Sequence, residues 1–226
     1  MKITLPKLKL PKALRSVKAP KLPDLPDLPE IDMKDARHHA YDALSAALFG
    51  GRRTAAYRRL VRALEVLPAH AVVDVGCGTG QFTRLLREVA GPDSVIGVDP
   101  DASAVQFARE KSKDITYRVG EADALPVTDH SVDLVTSALS FHHVDPARRD
   151  AAIAEAKRVL RPGGRLAIVD LAKPANPVSA AAFGWHPCVR AAEPVDDLVA
   201  RLASAGFTDI ASKPYWNWMT VVKGTA

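Results

Sequence analysis

The stretch of sequence that most limits the possible folds is Ala71–Gly80, which reads AVVDVGCGTG. It combines a short apolar run, an acid near the end of that run and three alternating glycines, Gly76, Gly78 and Gly80. Apolar runs of this length are typical of buried strands, and glycines allow a ligand to approach the backbone closely because they have no Cβ. The pattern therefore predicts a strand, a glycine turn and the start of a helix, an arrangement that binds nucleotide-like cofactors.

The residues that follow support this prediction. Apolar side chains in Gln81–Ala90 recur at helical spacing, and a Gly-Pro pair then ends the helix. Ser94–Asp99 predicts a second buried strand, which ends in an acid about twenty residues beyond the glycines. An acid at this place in a βαβ nucleotide site accepts hydrogen bonds from ribose hydroxyls, but Asp99 can also be only a turn residue before Pro100.

Strand and helix patterns alternate further along the chain, which predicts parallel strands joined by right-handed crossovers. Further strands are predicted over residues 114–123, 132–139, 164–172, 207–215 and 216–224, and helices over 52–67, 146–160 and 194–206. We interpret the arginines of the helix over 52–67 as a solvated face. The last two predicted strands are joined tightly at Tyr215-Trp216.

Five motifs together resemble those of the class I S-adenosylmethionine-dependent methyltransferases. They are VDVGCGTG, the VD that ends the second strand, GEADALP, SVDLVTSALSFHHV and LRPGGRLAIVD, and the resemblance is strong from Ala71 to Asp170. Within this family the chain is most similar to the type 11-like branch that methylates small molecules, quinones and lipids, and His39–Arg53 resembles the entry helix of that branch. The resemblance implies an α/β, Rossmann-like fold with a seven-stranded, mostly parallel sheet, an antiparallel last strand and helices on both faces.

The resemblance also implies S-adenosyl-L-methionine as the cofactor, and methylation of an oxygen, carbon or nitrogen atom of a metabolite, quinone or lipid. Two alternatives stay open, a catalytically idle module that binds this cofactor and an RNA methyltransferase. No nucleic acid partner is expected, because basic residues are not interleaved with aromatic ones and no N-P-P-Y tetrapeptide is present. A dehydrogenase would space its glycines as G-x-G-x-x-G, whereas this chain has G-x-G-x-G.

The family's motifs imply roles for several residues around the cofactor. Asp74 accepts a hydrogen bond from the ammonium group, and the glycine loop, with Cys77 as a small filler, lies against the methionine portion. Asp99 is placed at the ribose hydroxyls. The family's acceptor for the adenine amino group is an aspartate, whereas this chain has Glu121, so that Asp123 could serve instead.

Four further residues complete the implied cofactor site. Pro100 follows the ribose acid, the backbone of Ala122 faces the adenine ring nitrogens, and Ser137 lies beside the sulfonium. Tyr41 resembles a family tyrosine that approaches the cofactor, but an aromatic side chain at helical spacing can equally belong to the core.

Methyl transfer is an in-line displacement, and it needs a base only where the acceptor must lose a proton. His142 and His143 follow the fourth strand and His186 lies in the loop after the fifth, so these three are the candidate catalytic bases. Adjacent residues cannot both face the site, so at most one of His142 and His143 can serve, and either can be a structural histidine. No metal site is predicted.

Composition divides the chain into a basic, Pro/Leu-rich flexible tail over residues 1–30, a helical cap over 31–68 and a methyltransferase domain over 69–226. The seven basic residues before Asp24 exceed the net charge of +5, so the rest of the chain is slightly acidic. Two cysteines make no disulfide framework, and no apolar segment indicates secretion or a membrane span. We therefore expect a cytoplasmic protein.

Prolines, leucines and charged residues each recur at every third position from Pro20 to Glu30, which is the period of a polyproline II helix. The tail can be a stiff, disordered linker. It can also be a docking strip for a partner protein or for an anionic membrane surface, and the protein would then be peripheral at the membrane.

If the tail docks on membranes, the full-length protein will sediment with anionic liposomes, and a chain that begins at Ile31 will not. The reason is that each basic residue near such a surface contributes about 1 kcal/mol to binding. Liposome sedimentation measures the difference. Equal sedimentation of the two chains would contradict docking on membranes and favour the linker.

Overall fold

The computed structural model of the chain describes residues 52–91, 94–172, 187–216 and 219–226. The predicted tail, Tyr41 and His186 lie outside these ranges, and so does the first helix of the predicted cap. Among the helices of these ranges, none has the length and apolar character that crossing a membrane requires.

A seven-stranded sheet forms the centre of the described residues. Its strands are β1 (Val72–Val75), β2 (Val95–Asp99), β3 (Thr116–Val119), β4 (Val132–Ala138), β5 (Leu160–Leu171), β6 (Thr208–Trp216) and β7 (Met219–Thr225). Their order across the sheet is β3-β2-β1-β4-β5-β7-β6, and the first five strands of this order pair in parallel. β7 runs antiparallel to both β5 and β6. The predicted mostly parallel sheet with an antiparallel last strand is therefore confirmed.

Six helices accompany these strands in the described ranges. They are α1 (Arg53–Ala63), α2 (Gln81–Ala90), α3 (Ala102–Lys111), α4 (Arg149–Val159), α5 (Pro187–Ala191) and α6 (Val195–Ser204). Two 3₁₀ turns, Phe141–His143 and Pro146–Arg148, lie between β4 and α4. The helix predicted from Pro146 thus begins as a 3₁₀ turn, which is capped by a hydrogen bond from the Ala147 amide to the Asp145 carboxylate.

β5 begins at Leu160, earlier than its predicted start at the second glycine of the Gly-Gly pair. Val132 pairs with Leu160 and Leu134 pairs with Arg165, so the residues in between form an irregularity in the ladder. Gly163 lies in this irregularity with a φ of +78°, a conformation that glycine adopts at little cost. The sequence pattern of a turn therefore corresponds to a bulged strand.

Alternate residues of the strands pack on opposite faces of the sheet. Val72 and Val169 belong to a core cluster with buried residues of α1 and α2, whereas their neighbours Val73 and Ile168 belong to a cluster with α4 and α6. The predicted helices on both faces are therefore confirmed.

The parallel strands end at one edge of the sheet, and these ends gather the segments that the sequence analysis singled out. β1 ends beside the glycine loop, β2 beside Pro100, β3 beside Gly120, and β4 shortly before the Phe141–His143 turn. In open parallel sheets, ligands bind at the carboxyl ends of the strands.

Gly97 of β2 lies opposite Tyr117 of β3. A Cβ atom at position 97 would lie 2.5 Å from Tyr117 Cδ1 and 3.0 Å from Cys77 Sγ. Tyr117 and Cys77 are both buried and belong to one small core cluster. The packing of the tyrosine ring beside the glycine loop therefore depends on a residue without a side chain.

We expect Gly97→Ala to lower the free energy of unfolding by about 1–3 kcal/mol, because the added methyl group forces the Tyr117 ring out of a packed site. Urea denaturation of this variant, of Tyr117→Leu and of the double variant measures the effect. The loss in the double variant should be smaller than the sum of the two single losses. Strict additivity would show that the methyl group and the ring do not collide.

Candidate cofactor site and active site

A cavity of about 660 Å³ lies at this edge of the sheet and has the size of a small-molecule site. Ten residues of the predicted cofactor site line it: Asp74, Gly76, Cys77, Gly78, Asp99, Pro100, Glu121, Ala122, Asp123 and Ser137. Arg53 and Tyr57 of α1 also line the cavity, as do Ile153 of α4 and Ile168 of β5. Gly80 does not contribute to the wall, because it is buried at the start of α2, where a Cβ atom would collide with Tyr117.

Asp74 is an almost fully buried acid in the cavity wall, with 1% of its surface exposed. The Thr83 hydroxyl of α2 donates to Asp74 Oδ2 at 2.6 Å, and the Thr136 hydroxyl of β4 donates to Oδ1 at 3.2 Å. Burial raises the pKa of the Asp74 carboxyl from 3.8 to about 7, even though both threonine hydrogen bonds lower it. An acid in this setting is stabilised in its charged form by a cation brought into the cavity.

The glycine loop brings bare backbone to the cavity. Gly76 has a φ of +73°, and a Cβ atom there would collide with the Ser140 side chain. Gly78 has a φ of +52°, and no protein atom lies within 4 Å of where its Cβ atom would be. The loop is therefore packed tightly at Gly76 and open at Gly78, where a ligand can lie against the backbone.

Asp99, the last residue of β2, holds the glycine loop and the following turn together. Its Oδ2 atom accepts from the Gly78 amide at 2.8 Å, and its Oδ1 atom accepts from the Asp101 amide at 2.9 Å. Burial raises the pKa of the Asp99 carboxyl. Each carboxylate oxygen has a second lone pair, so both expectations fit the structure, a turn residue and an acceptor in the cavity wall.

Arg148, which the sequence analysis did not single out, organises the two acids of the GEADALP motif. Its Nε and Nη2 atoms donate to the two carboxylate oxygens of Asp123, and its Nη1 atom lies 3.4 Å from Glu121 Oε2. The hydrogen bonds from Arg148 hold the pKa of Asp123 below its usual range. All three residues line the cavity. Asp123 is thus already engaged, and Glu121 is the less occupied acceptor.

Ser137 belongs to a hydrogen-bonded chain across the ends of β4 and β1. Ser140 Oγ donates to the Val75 carbonyl at 2.9 Å and lies 2.8 Å from Ser137 Oγ. Because the Ser140 proton is used on Val75, Ser137 donates to Ser140. This chain fixes the cavity wall beside Gly76 of the glycine loop.

The two adjacent histidines have different surroundings. His142 is buried, its Nδ1 atom lies 2.6 Å from Asp170 Oδ1, and its amide donates to Asp170 Oδ2 at 2.7 Å. His143 is exposed and lines the cavity, whereas His142 does not. Of the two, His143 is therefore the one that can meet a ligand, and His142 is anchored to the end of β5.

Arg53 is a buried cation in the cavity wall, with 5% of its surface exposed. The interpretation of the α1 arginines as a solvated face is wrong for this residue, because it stands at the first position of the helix, over the cavity. The side-chain amide of Gln81 donates to the Thr54 hydroxyl at 3.3 Å and so links the start of α1 to that of α2. Periodicity gives no signal for such a position at the helix end.

The part of the cavity wall that the described residues form is predominantly acidic. Among these residues, six carboxyl groups line the cavity, those of Asp74, Asp99, Asp101, Glu121, Asp123 and Asp145. Two arginines of the same set, Arg53 and Arg148, oppose them. The excess of carboxyl groups therefore favours a ligand with a net positive charge. A sulfonium that also carries an amino acid group has such a charge.

Comparison with known proteins agrees with this chemistry. Residues 73–168 match the family model described as a methyltransferase domain. An uncharacterized methyltransferase of Synechocystis sp. is 33% identical over 157 residues, which are 67% of this chain and 73% of that protein. A demethylmenaquinone methyltransferase of Thermotoga maritima is 34% identical over 134 residues, 59% of this chain and 58% of the relative.

An arsenite methyltransferase of Halobacterium salinarum is 36% identical over 156 residues, which are 65% of this chain and 39% of that protein. The chain thus spans less than two thirds of the length of this relative and of the one from Thermotoga.

Among solved structures, a SAM-dependent methyltransferase from Aquifex aeolicus has a TM-score of 0.64 at 21% identity and covers 75% of this chain and 88% of its own. This similarity concerns the fold. Together with the matched domain and the relatives of known family, it shows that the chain belongs to the class I S-adenosylmethionine-dependent methyltransferases, whose cofactor is S-adenosylmethionine.

Proposed function

We propose that this protein transfers the methyl group of S-adenosylmethionine to a small-molecule acceptor. The observation that carries the proposal is the acidic cavity at the carboxyl ends of β1, β2 and β4, with Asp74 buried in its wall. The names of the relatives, which include a quinone and an arsenite methyltransferase, support an acceptor of small size.

Different residues of the cavity wall bind different parts of the cofactor. Asp74 accepts a hydrogen bond from the ammonium group, and the open backbone at Gly78 lies against the methionine portion. Asp99 uses its remaining lone pairs for the two ribose hydroxyls. Glu121, rather than the engaged Asp123, accepts from the adenine amino group.

Arg53 binds the carboxylate of the methionine portion. This group is the cofactor's one anion, and of the two arginines in the described part of the wall, Arg53 is the one whose helix is linked to the start of α2. Arg148 instead donates a hydrogen bond to Asp123 and lies 3.4 Å from Glu121, and these are the two acids of the GEADALP motif. A guanidinium that is largely withdrawn from water binds a carboxylate more strongly than an exposed one.

The chemical step is an in-line attack of the acceptor on the methyl group, which the positive sulfur activates. The protein contributes alignment and the exclusion of water. Ser137 and Ser140 fix the wall beside the reacting centre, and His143 lies where the acceptor enters. The buried pair of His142 and Asp170 keeps the turn that carries His143 in place.

The predicted division of the chain is part of this proposal. The cap over residues 31–68 covers the cofactor site of the domain over 69–226, and the position of Arg53 and Tyr57 in the cavity wall supports this. We further propose that the tail over residues 1–30 contacts a membrane surface or a partner protein, in the cytoplasm.

The activity can be tested by incubating the full-length protein with methyl-labelled cofactor and a metabolite or lipid extract, and then searching for labelled products by mass spectrometry. We expect a product from the wild type. Asp99→Ala and Arg53→Gln should form it slowly at low cofactor concentration and recover at high concentration, because each loses a cofactor contact worth about 1–3 kcal/mol.

Arg161→Gln is the matched control for these variants. Arg161 is an exposed arginine that pairs with Asp133 outside the cavity, so its loss should leave turnover unchanged. Cofactor binding by the wild type without any labelled product would contradict methyl transfer and favour the idle cofactor-binding module. Equal saturation curves for all three variants would contradict the assigned contacts.

Asp74 makes cofactor binding depend on pH. Only its ionised form pairs with the ammonium group, and its pKa is about 7 in the folded protein. The affinity should therefore rise by about tenfold per pH unit below pH 7 and level off above it. Calorimetric titration between pH 5 and pH 7.5 measures this. Asp74→Asn should bind weakly at every pH in this range, and Asp99→Asn should keep the dependence that Asp74 causes.

The same group affects stability in the opposite direction. Its pKa is raised from 3.8 to about 7, so the stability that the protonated acid contributes is complete below pH 3.8, is lost between these two values and is absent above about pH 7. Without cofactor, Asp74→Asn should therefore melt at a higher temperature than the wild type at pH 8. A lower melting temperature together with unchanged affinity would show that Asp74 is a structural acid only.

A further inference from the structure

A cluster of metal-ligating side chains lies beside the cavity. One candidate ligand atom from each of His142, His143 and Cys188 lies within 4.8 Å of the other two. The two imidazole ring centres are 4.0 Å apart, and their planes are inclined by 43°. The histidines come from the turn after β4 and the cysteine from α5.

His142 is oriented by a carboxylate, as metal-bound histidines usually are. Asp170 accepts from the Nδ1 atom of His142 at 2.6 Å and from its amide at 2.7 Å, and both side chains are almost completely withdrawn from solvent. Because the carboxylate takes the Nδ1 proton, the lone pair of the ring is on Nε2. A carboxylate behind a ligating imidazole fixes the orientation of the ring and increases its basicity.

We propose that His142, His143 and Cys188 bind one Zn²⁺ ion. Two imidazoles and a thiolate are a ligand set that Zn²⁺ prefers, and Asp170 completes the shell behind it. Ligands of a tetrahedral zinc site lie about 3.3–3.8 Å apart at bond lengths of about 2.0–2.3 Å. The candidate ligand atoms already lie within 4.8 Å of one another, so side-chain rotation is the change that binding requires.

The position of His143 indicates that the proposed zinc site faces the cavity. This residue also lines the cavity, so the ion lies at the cavity wall. Three protein ligands leave a fourth position, as in zinc sites that bind a water molecule or a substrate atom. That position takes water or an oxygen or sulfur atom of the acceptor. The second possibility rests on the proposed methyl transfer, whereas binding of the ion does not.

Metal binding can be measured on the untagged, full-length protein after treatment with a chelator. We expect one equivalent of Co²⁺ to bind and to produce the near-ultraviolet absorption of a cobalt thiolate, and Zn²⁺ to displace it. Cys188→Ser should abolish that absorption. Asp170→Asn should weaken Zn²⁺ binding by about 10–100-fold, the usual effect of removing the partner of a ligating histidine.

Cys77→Ser is the matched control, because Cys77 is buried in the glycine loop and belongs to a different cluster. It should keep both the cobalt absorption and the Zn²⁺ affinity. Wild-type protein that binds no equivalent of either metal would overturn the proposal. So would cobalt absorption that survives Cys188→Ser.

A second measurement needs no substitution and therefore no assumption about folding. Zn²⁺ should slow the alkylation of Cys188 in the wild type, as located by peptide mass spectrometry. An alkylation rate that is the same with and without Zn²⁺ would overturn the site. None of these measurements uses the cofactor or an acceptor, so failure of the metal site and failure of the methyl transfer are distinguishable.

Discussion

The cavity of this protein depends on one buried acid. Asp74 lies near the carboxyl end of β1, an interior strand of the sheet, where it is almost fully buried, and it accepts hydrogen bonds from hydroxyls of α2 and β4. Thr83 and Thr136 thereby fasten the helix after the glycine loop and the neighbouring strand to the same carboxyl group. Burying this carboxyl group costs free energy, and a cation that enters the cavity offsets that cost by pairing with the carboxylate.

The glycine loop follows from the same arrangement. For β1 to deliver Asp74 to the cavity, the chain must turn at once beneath the end of β4, and Ser140 closes this turn so tightly that Gly76 has no room for a side chain. Asp99 holds the far side of the loop through the Gly78 amide. The loop is thus fixed from two strands before any ligand arrives, and a preformed site loses less entropy on binding.

The parts of the structure that were predicted are those that depend on short, local sequence patterns. Strand and helix periods gave the order of the elements, and the acids at the strand ends lie in the cavity wall. Arg53 and Arg148 were missed because Arg53 is the first residue of α1 and Arg148 is the residue just before α4, and periodicity carries no information at helix ends. The early start of β5 was missed because a Gly-Gly pair indicates a turn in sequence, and only the pairing of Val132 with Leu160 makes it a bulge.

The two ends of the cavity differ in how the chain encodes them. The acids and glycines at one end sit in short motifs, so sequence comparison finds them and the family is evident. At the other end His143, the His142–Asp170 pair and Cys188 come from three separate segments, and only the packing of the β4 turn against β5 and α5 brings them together. The second end thus depends on contacts between segments that are distant in sequence, such as the hydrogen bond from the His142 amide to Asp170 that holds the turn after β4. On the proposed function, the acceptor meets the end of the cavity that long-range contacts build around His143.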